Sequence, residues 1–350
     1  MIVFTSHMES RFVEQEGEAL RCTICPHLCV LSMGKRGLCG SKENQDGKII
    51  DLSYGKLSAL AVDPIEKKPL SHFYPGSISL SISSIGCNFT CPWCQNFGLS
   101  QGKIDDAQTR YMEPEAVVEV AMAQNCTSIS YTYNEPLINL NFIEDTAKFA
   151  WESDIKNVLV TNGYTHLPSF SQVVEYIDAA NVDWKSFNPE FYRKHCNADL
   201  DKVLESTQFM HENGVHVEIT FLIIPETNDS PEEVRAMARY IVENFGQDTP
   251  LHLSRFFPMY KFKHLPPTPI ETLMNAKKIA LEEGLHYVFV GNVRSGGEED
   301  TVCPNCGAHV VKRSGYNITG WGLTDDMRCK KCGTLIPIAG NREKHLAGLW

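Results

Sequence analysis

Cys87, Cys91 and Cys94 fall within eight residues, in GCNFTCPWCQN, and no further cysteine follows at short range. Thiolates suit soft metals and iron–sulfur clusters. In a turning loop, cysteines at this spacing can present three sulfurs to one compact inorganic core. A four-iron cluster held that way keeps one iron open for another ligand, as catalytic zinc keeps one position open. The alternative is a cluster or zinc completed by a distant ligand such as Cys126 or a histidine.

Two further cysteine sets flank this loop. Cys303-x-x-Cys306 and Cys329-x-x-Cys332, each pair followed by glycine, make two knuckles that would give one ion four thiolates. Structural zinc is the favoured occupant, with a rubredoxin-type single iron as the alternative. Cys22, Cys25, Cys29 and Cys39 are less regular. They read as a second zinc knuckle or an auxiliary iron–sulfur cluster, zinc slightly preferred, with His27 as a substitute ligand. Of thirteen cysteines, only Cys126 and Cys196 stand outside these sets, and both read as small buried hydrophobes. The tight spacing, odd total and lack of a secretion signal argue against disulfides.

These groups need a scaffold. From about residue 77 to 290 strand-like runs alternate with helical ones: SISLSIS, TSISYTY, NVLVT, NVDWKSF, VHVEITFLI, LHLSRF and YVFV. Ser230-Pro231-Glu232-Glu233 carries the signs of a capping box, and Thr268-Pro269-Ile270-Glu271 repeats the pattern. Repeated strand–helix units predict an α/β fold with a parallel sheet, as a partial or complete barrel. A doubly wound open sheet is the competitor, weakened by the lack of GxGxxG or P-loop motifs. We expect three units: an N-terminal cysteine-rich segment (1–76), a barrel (77–298) and a C-terminal knuckle (299–350). A Gly-rich, charged linker, GNVRSGGEED, precedes the knuckle.

The cysteine loop directly follows the first clear strand, at the end where barrel sites are built. Three more groups stand at strand ends. Glu135 closes YTYNEP, where it could face a cation or cap a helix at a Pro turn. Thr161-Asn162-Gly163 closes another strand. Asp183 and Lys185, two apart on a short strand, point to one face and need each other or a charged ligand.

C-x-x-x-C-x-Φ-C with an aromatic Φ, here Trp93, is the signature of the radical SAM superfamily. With VDPIEKKPLSHFYPGS, YTYNEP, VTNGY, NVDWKSF, SRFFP, YVFVGNV and the terminal CPNCG…CKKCG, the chain resembles the radical SAM proteins of the AmmeMemoRadiSam system over nearly its whole length. That family is often labelled as similar to pyruvate formate-lyase activating enzyme. The resemblance implies a partial (β/α)6 barrel and a 4Fe–4S cluster on Cys87, Cys91 and Cys94, with S-adenosylmethionine on the open iron. It further implies reductive cleavage to methionine and a 5′-deoxyadenosyl radical that abstracts hydrogen. Carried over to matching positions, Trp93, Asn134, Glu135, Thr161, Asn162, Asp183 and Lys185 would contact the cofactor. This chain departs from activating enzymes where Tyr133 and Asn134 replace a Gly-Gly, Val160 an acid and Phe257 a histidine. Arg255 is a candidate for a substrate carboxylate or a rim ion pair.

The implied partners are a reductant such as ferredoxin or flavodoxin, a protein substrate for glycyl-radical or other peptide activation, and AMMECR- and Memo-type proteins. Radical modification of a small molecule or lipid is the alternative, and a non-enzymatic iron–sulfur carrier a third reading. A net charge of −11 argues against general affinity for nucleic acid or anionic membrane. With no long apolar run and a charged N-terminus, a cytoplasmic location is expected, and the resemblance implies reducing, anaerobic conditions.

Overall fold

The structure, a computed structural model, describes residues 8–293 and 296–341. Residues 294 and 295 of the expected linker, and the two chain ends of the expected units, lie outside the described residues.

All seven strand-like runs form strands of one sheet. They are β2 (Ile78–Ser83), β3 (Ser128–Tyr131), β4 (Lys156–Thr161), β5 (Ala179–Trp184), β6 (His216–Ile223), β7 (Leu251–Arg255) and β8 (Val288–Gly291). From β3 onward, each pairs in parallel with the strand before it in the chain. A doubly wound sheet would reverse its order partway, so this sequential winding is that of a barrel. Its edges do not pair with each other, which leaves the barrel partial, and YVFV supplies a seventh parallel strand, one more than the (β/α)6 barrel that the resemblance implies.

The other edge is formed by a strand from within the expected N-terminal segment. β1 (Ala59–Pro64) pairs antiparallel with β2 and so belongs to the sheet. A short run ending in proline, with no clean period, gives little strand signal, and an edge position is where a strand tolerates proline.

The helices α1 (Pro114–Ala123), α2 (Leu140–Glu152), α3 (Leu200–Glu212), α4 (Pro231–Phe245) and α5 (Ile270–Glu282) join successive strands. Ser230 caps α4 by accepting the Glu233 N–H at 3.2 Å. The glutamate does not close the box: its carboxylate accepts from the Ser186 hydroxyl and, at 2.7 Å, from the Phe187 N–H in the loop after β5. Nor does Thr268 cap α5. Its hydroxyl donates to the Ile223 carbonyl at 2.6 Å and accepts the Phe256 N–H at 3.0 Å, fastening the ends of β6 and β7. In both cases buried strand-end groups needed a partner more than an exposed helix terminus did.

The strands alternate between two environments. Ala180, Val182, Ile219, Phe221 and Leu251 join the hydrophobic core. Asn181, Asp183, Thr220, His252 and Ser254 line the barrel interior. The packed apolar layers of a closed barrel are thus replaced by polar groups around a cavity.

The smaller units are built onto this sheet. Two three-stranded antiparallel sheets carry the N-terminal part. The C-terminal sheet (Thr301–Val302, His309–Ser314, Asn317–Trp321) shares a core with Tyr287 and Phe289 at β8. Ala339 exchanges backbone hydrogen bonds with His72 and Tyr74, both 2.8 Å.

The segment before β2 is tied to the barrel by Glu218 of β6. This buried carboxylate accepts the Ser71 and His72 N–H groups at 2.9 and 2.7 Å, and meets the Nε2 atoms of His216 and His252 at 3.0 and 2.6 Å. Burial alone would raise its pKa, but the histidine contacts outweigh that and hold it well below the usual carboxylate range. Its stabilising contribution is therefore present above the ordinary glutamate pKa and is lost as pH falls below it. Glu218→Gln should cost about 3 kcal/mol at neutral pH, read from urea unfolding, and should reduce the acid sensitivity of the wild type. Unchanged midpoints at neutral and acid pH would refute this role.

Candidate active site

The chain turns at Gly86 into the three-cysteine loop. Gly86 has φ +104°, and a Cβ there would lie 2.3 Å from the Cys39 carbonyl oxygen, so only glycine fits. The loop is braced by Asn134, whose amide accepts the Ser84 N–H at 3.1 Å and donates to the Ser84 hydroxyl and Gly86 carbonyl at 3.1 and 3.0 Å. The Asn134 amide is thus engaged in holding the loop.

Its neighbour Glu135 works on the other side. One carboxylate oxygen accepts the Leu137 N–H at 3.0 Å and the Thr161 hydroxyl at 2.6 Å, and the other accepts the Asn162 N–H at 2.7 Å. Glu135 is therefore a helix cap, as one of its two readings had it, and also a tie between β3 and β4. A carboxylate has about four acceptor sites, so the second oxygen retains capacity for another donor. Burial pushes this carboxyl up to about 7.

Tyr133, where activating enzymes have glycine, takes the left-handed conformation at φ +71°. The surroundings hold that strain in place. Its hydroxyl donates to Asp63, which also receives Lys67 and Lys68 at 2.7 Å and Ser81 at 2.6 Å. Asp63 and the lysines lie in VDPIEKK, outside the expected barrel, and were not singled out from sequence.

After β4, Asn162 donates to the Asn88 side chain at 2.9 Å and its amide nitrogen lies 3.9 Å from the Cys87 sulfur. Gly163 follows with φ +72°, and a Cβ would approach Val182 to 2.9 Å. At the end of β5, Lys185 pairs with Asp183 as expected. Burial works against the lysine's charge, but the Asp183 carboxylate outweighs it and raises the pKa. The second Asp183 oxygen, Oδ1, is buried without a hydrogen-bond partner.

Trp93 is buried, with its ring centroid 5.3 Å from Phe191 and 5.6 Å from Phe262. Arg255 donates to the Thr268 carbonyl at 2.8 Å and lies over Phe257, and so serves the rim.

Cys87, Cys91, Cys94, Trp93, Asn134, Glu135, Thr161, Asn162, Asp183 and Lys185 all border one cavity of about 730 Å³. Sequence reasoning also missed the neighbour of Cys91. Cys126 is buried as expected, whereas buried Cys196 has its sulfur 3.9 Å from that of Cys91. Between the free thiols the hydrogen bond runs from Cys91 to Cys196; with Cys91 a thiolate, Cys196 is the group that can donate. Contact with Cys196 lowers the Cys91 pKa, while burial pushes Cys87 and Cys94 up. A bound cation would reverse that burial effect.

At the far end of the chain, Cys303, Cys306, Cys329 and Cys332 have all four sulfurs within 4.8 Å of one another. This group could hold a metal ion.

Residues 81–241 match the family model described as the radical SAM superfamily. An uncharacterized protein of Methanocaldococcus jannaschii is 44% identical over 332 residues, covering 94% of this chain and 99% of that protein. The pyruvate formate-lyase-activating enzyme of Clostridium pasteurianum is 23% identical over 165 residues, 45% of this chain and 66% of that enzyme. The 4-hydroxyphenylacetate decarboxylase activating enzyme of Clostridium scatologenes is 23% identical over 118 residues, 33% of this chain and 38% of that enzyme.

Such a family brings a 4Fe–4S cluster and S-adenosylmethionine. The donor set fits both: three thiols and no fourth cysteine among the described cavity-lining residues, an unpartnered Asp183 oxygen, spare acceptor capacity on Glu135 and the Lys185 cation.

Cys196→Ala should leave the cluster iron in place and lower its reduction potential by on the order of tens of millivolts, because a hydrogen bond to a ligating sulfur is lost. Redox titration monitored by electron paramagnetic resonance reads the shift. Loss of the cluster in this variant would make Cys196 a ligand instead.

Proposed function

We propose that this chain, which belongs to the radical SAM superfamily, reductively cleaves S-adenosylmethionine and uses the resulting radical to take a hydrogen atom from a substrate. The convergence of the three loop cysteines with Glu135, Asp183 and Lys185 on one cavity carries this reading. When bound, the cluster and its cofactor supply the one-electron chemistry, and the protein supplies placement and shielding. Cys87, Cys91 and Cys94 would hold the cluster. Asp183 Oδ1 offers an acceptor to a cofactor donor, Lys185 a cation to its carboxylate, and Glu135 a carboxylate to its ammonium. Trp93 closes one wall against water.

In the finer reading the substrate is a peptide of a partner protein, activated as a glycyl radical or by another modification. The two activating-enzyme relatives support it. A small polar molecule is the second reading. Glu66 Oε2 and Thr220 Oγ1 favour it, as both are buried without partners and their residues line the same cavity. A ferredoxin or flavodoxin would serve as reductant, and Memo- and AMMECR-type proteins are the first partners to test. Structural zinc on the C-terminal cysteines is supported by sulfur separations of 3.5 and 3.7 Å, against about 3.8 Å for four thiolates on one tetrahedral ion.

Anaerobically reconstituted, reduced protein given S-adenosylmethionine should form 5′-deoxyadenosine, and Cys91→Ala should form none. No product from wild type with an intact cluster would refute the proposal. Deuterium carried from a labelled peptide or small molecule into the deoxyadenosine separates the two substrate readings.

Cofactor affinity should also fall as pH drops below about 7, approaching tenfold per unit, because the protonated Glu135 no longer complements an ammonium. Glu135→Gln should bind weakly with a flattened profile. Wild-type affinity that does not change between about pH 5.5 and 7 would remove Glu135 from this role.

A further inference from the structure

Cys22, Cys25, Cys29 and Cys39 take no part in the site described above. All four are free, and together they line one small enclosed cavity of about 20 Å³, closed by apolar Ile24 and Leu38. Backbone N–H groups point at three of the sulfurs: Ile24 at Cys22, His27 at Cys25 and Leu38 at Cys29. The loop is cinched at its base, where the Cys22 N–H donates to the Cys29 carbonyl at 2.9 Å. Four thiols around a void, with amide donors at their sulfurs, form a prepared thiolate site.

The size of the site chooses between one ion and a cluster. Four thiolates on a single zinc stand about 3.8 Å apart and leave no space between them. The C-terminal quartet meets that condition, with sulfur pairs at 3.5 and 3.7 Å. Among the described residues it is the only group of three or more possible ligands that lie mutually within 4.8 Å. In every trio drawn from the N-terminal set, therefore, at least one pair of sulfurs is farther apart. Cys87, Cys91 and Cys94 are spread in the same way. Among the described residues there is thus one quartet closed to single-ion distance and two cysteine sets that are not, and ligands on separate corner irons of a polynuclear core do not need that closure.

We propose that Cys22, Cys25, Cys29 and Cys39 hold a second 4Fe–4S cluster with every iron ligated by protein, rather than zinc. The contrast with the C-terminal quartet stands alone, while the likeness to the loop set rests on the function proposed above. The site is mounted directly on that loop. The Cys39 carbonyl packs where a Gly86 Cβ would be, and His27 Nε2 is 2.8 Å from the Asn88 carbonyl. His27 borders the same cavity, but its Nε2 is engaged by that carbonyl, and the four thiols are the ligand set of the proposal.

Labile sulfide and metal analysis of anaerobically reconstituted full-length protein test this. Wild type should contain about eight sulfides, and the Cys87→Ala, Cys91→Ala, Cys94→Ala triple variant about four, with an intact cluster spectrum. Labile sulfide distinguishes a cluster from a rubredoxin-type iron at the C-terminal set. A triple variant without sulfide but with about two zincs would overturn the proposal. If that variant does not fold, the wild-type holoprotein decides: two reduced clusters should appear by spin quantification, only one of them perturbed by S-adenosylmethionine. A single cluster per chain overturns the proposal. Two clusters, neither responding to the cofactor, would leave the second site standing and remove the proposed function.

Discussion

Asn134 and Glu135, adjacent at the end of β3, hold the ends of three neighbouring strands in one arrangement. Asn134 reaches back to Ser84 and Gly86 beyond β2, and Glu135 reaches forward to Thr161 and Asn162 beyond β4. These bonds are buried, so breaking one strands a desolvated partner at a cost of about 1–3 kcal/mol. The left-handed turn at Tyr133 aims both side chains, and Asp63 anchors that turn through the tyrosine hydroxyl. The position of Cys87, the first possible ligand, follows from this joint.

The same economy of buried charge runs through the barrel. Asp63 gathers two lysines, Glu218 two histidines and two backbone amides, and Asp183 one lysine. Each compensated carboxylate is tolerable because its partners replace lost hydration. Where compensation stops, at Asp183 Oδ1, Glu66 Oε2 and Thr220 Oγ1, the cavity begins. Most apolar packing lies on the outer face of the sheet and its helices, with apolar groups such as Leu222, Leu253 and Phe289 also lining the cavity.

Sequence pattern was readable where side-chain period and cysteine spacing speak locally. The seven parallel strands and the ten residues around the cavity were visible as runs and motifs, because each strand alternates and each motif sits at a strand end. The edge strand β1 was not, since its pairing is made by a distant neighbour rather than by its own period. Helix starts misled at Thr268 and in part at Glu233, where tertiary partners outbid the local cap.

Residue types and spacing alone determined that this chain offers three thiolates at a strand end and three further charged or polar groups at the ends of following strands. That follows from chemistry carried within single segments. Only the tertiary structure decided that those groups share one cavity, and that Cys196 stands beside Cys91. It alone also decided that the C-terminal sulfurs close to within 4.8 Å of one another while no trio of the N-terminal set does. Distance between segments depends on how the sheet winds and what packs behind it, and no local spacing of cysteines contains that information.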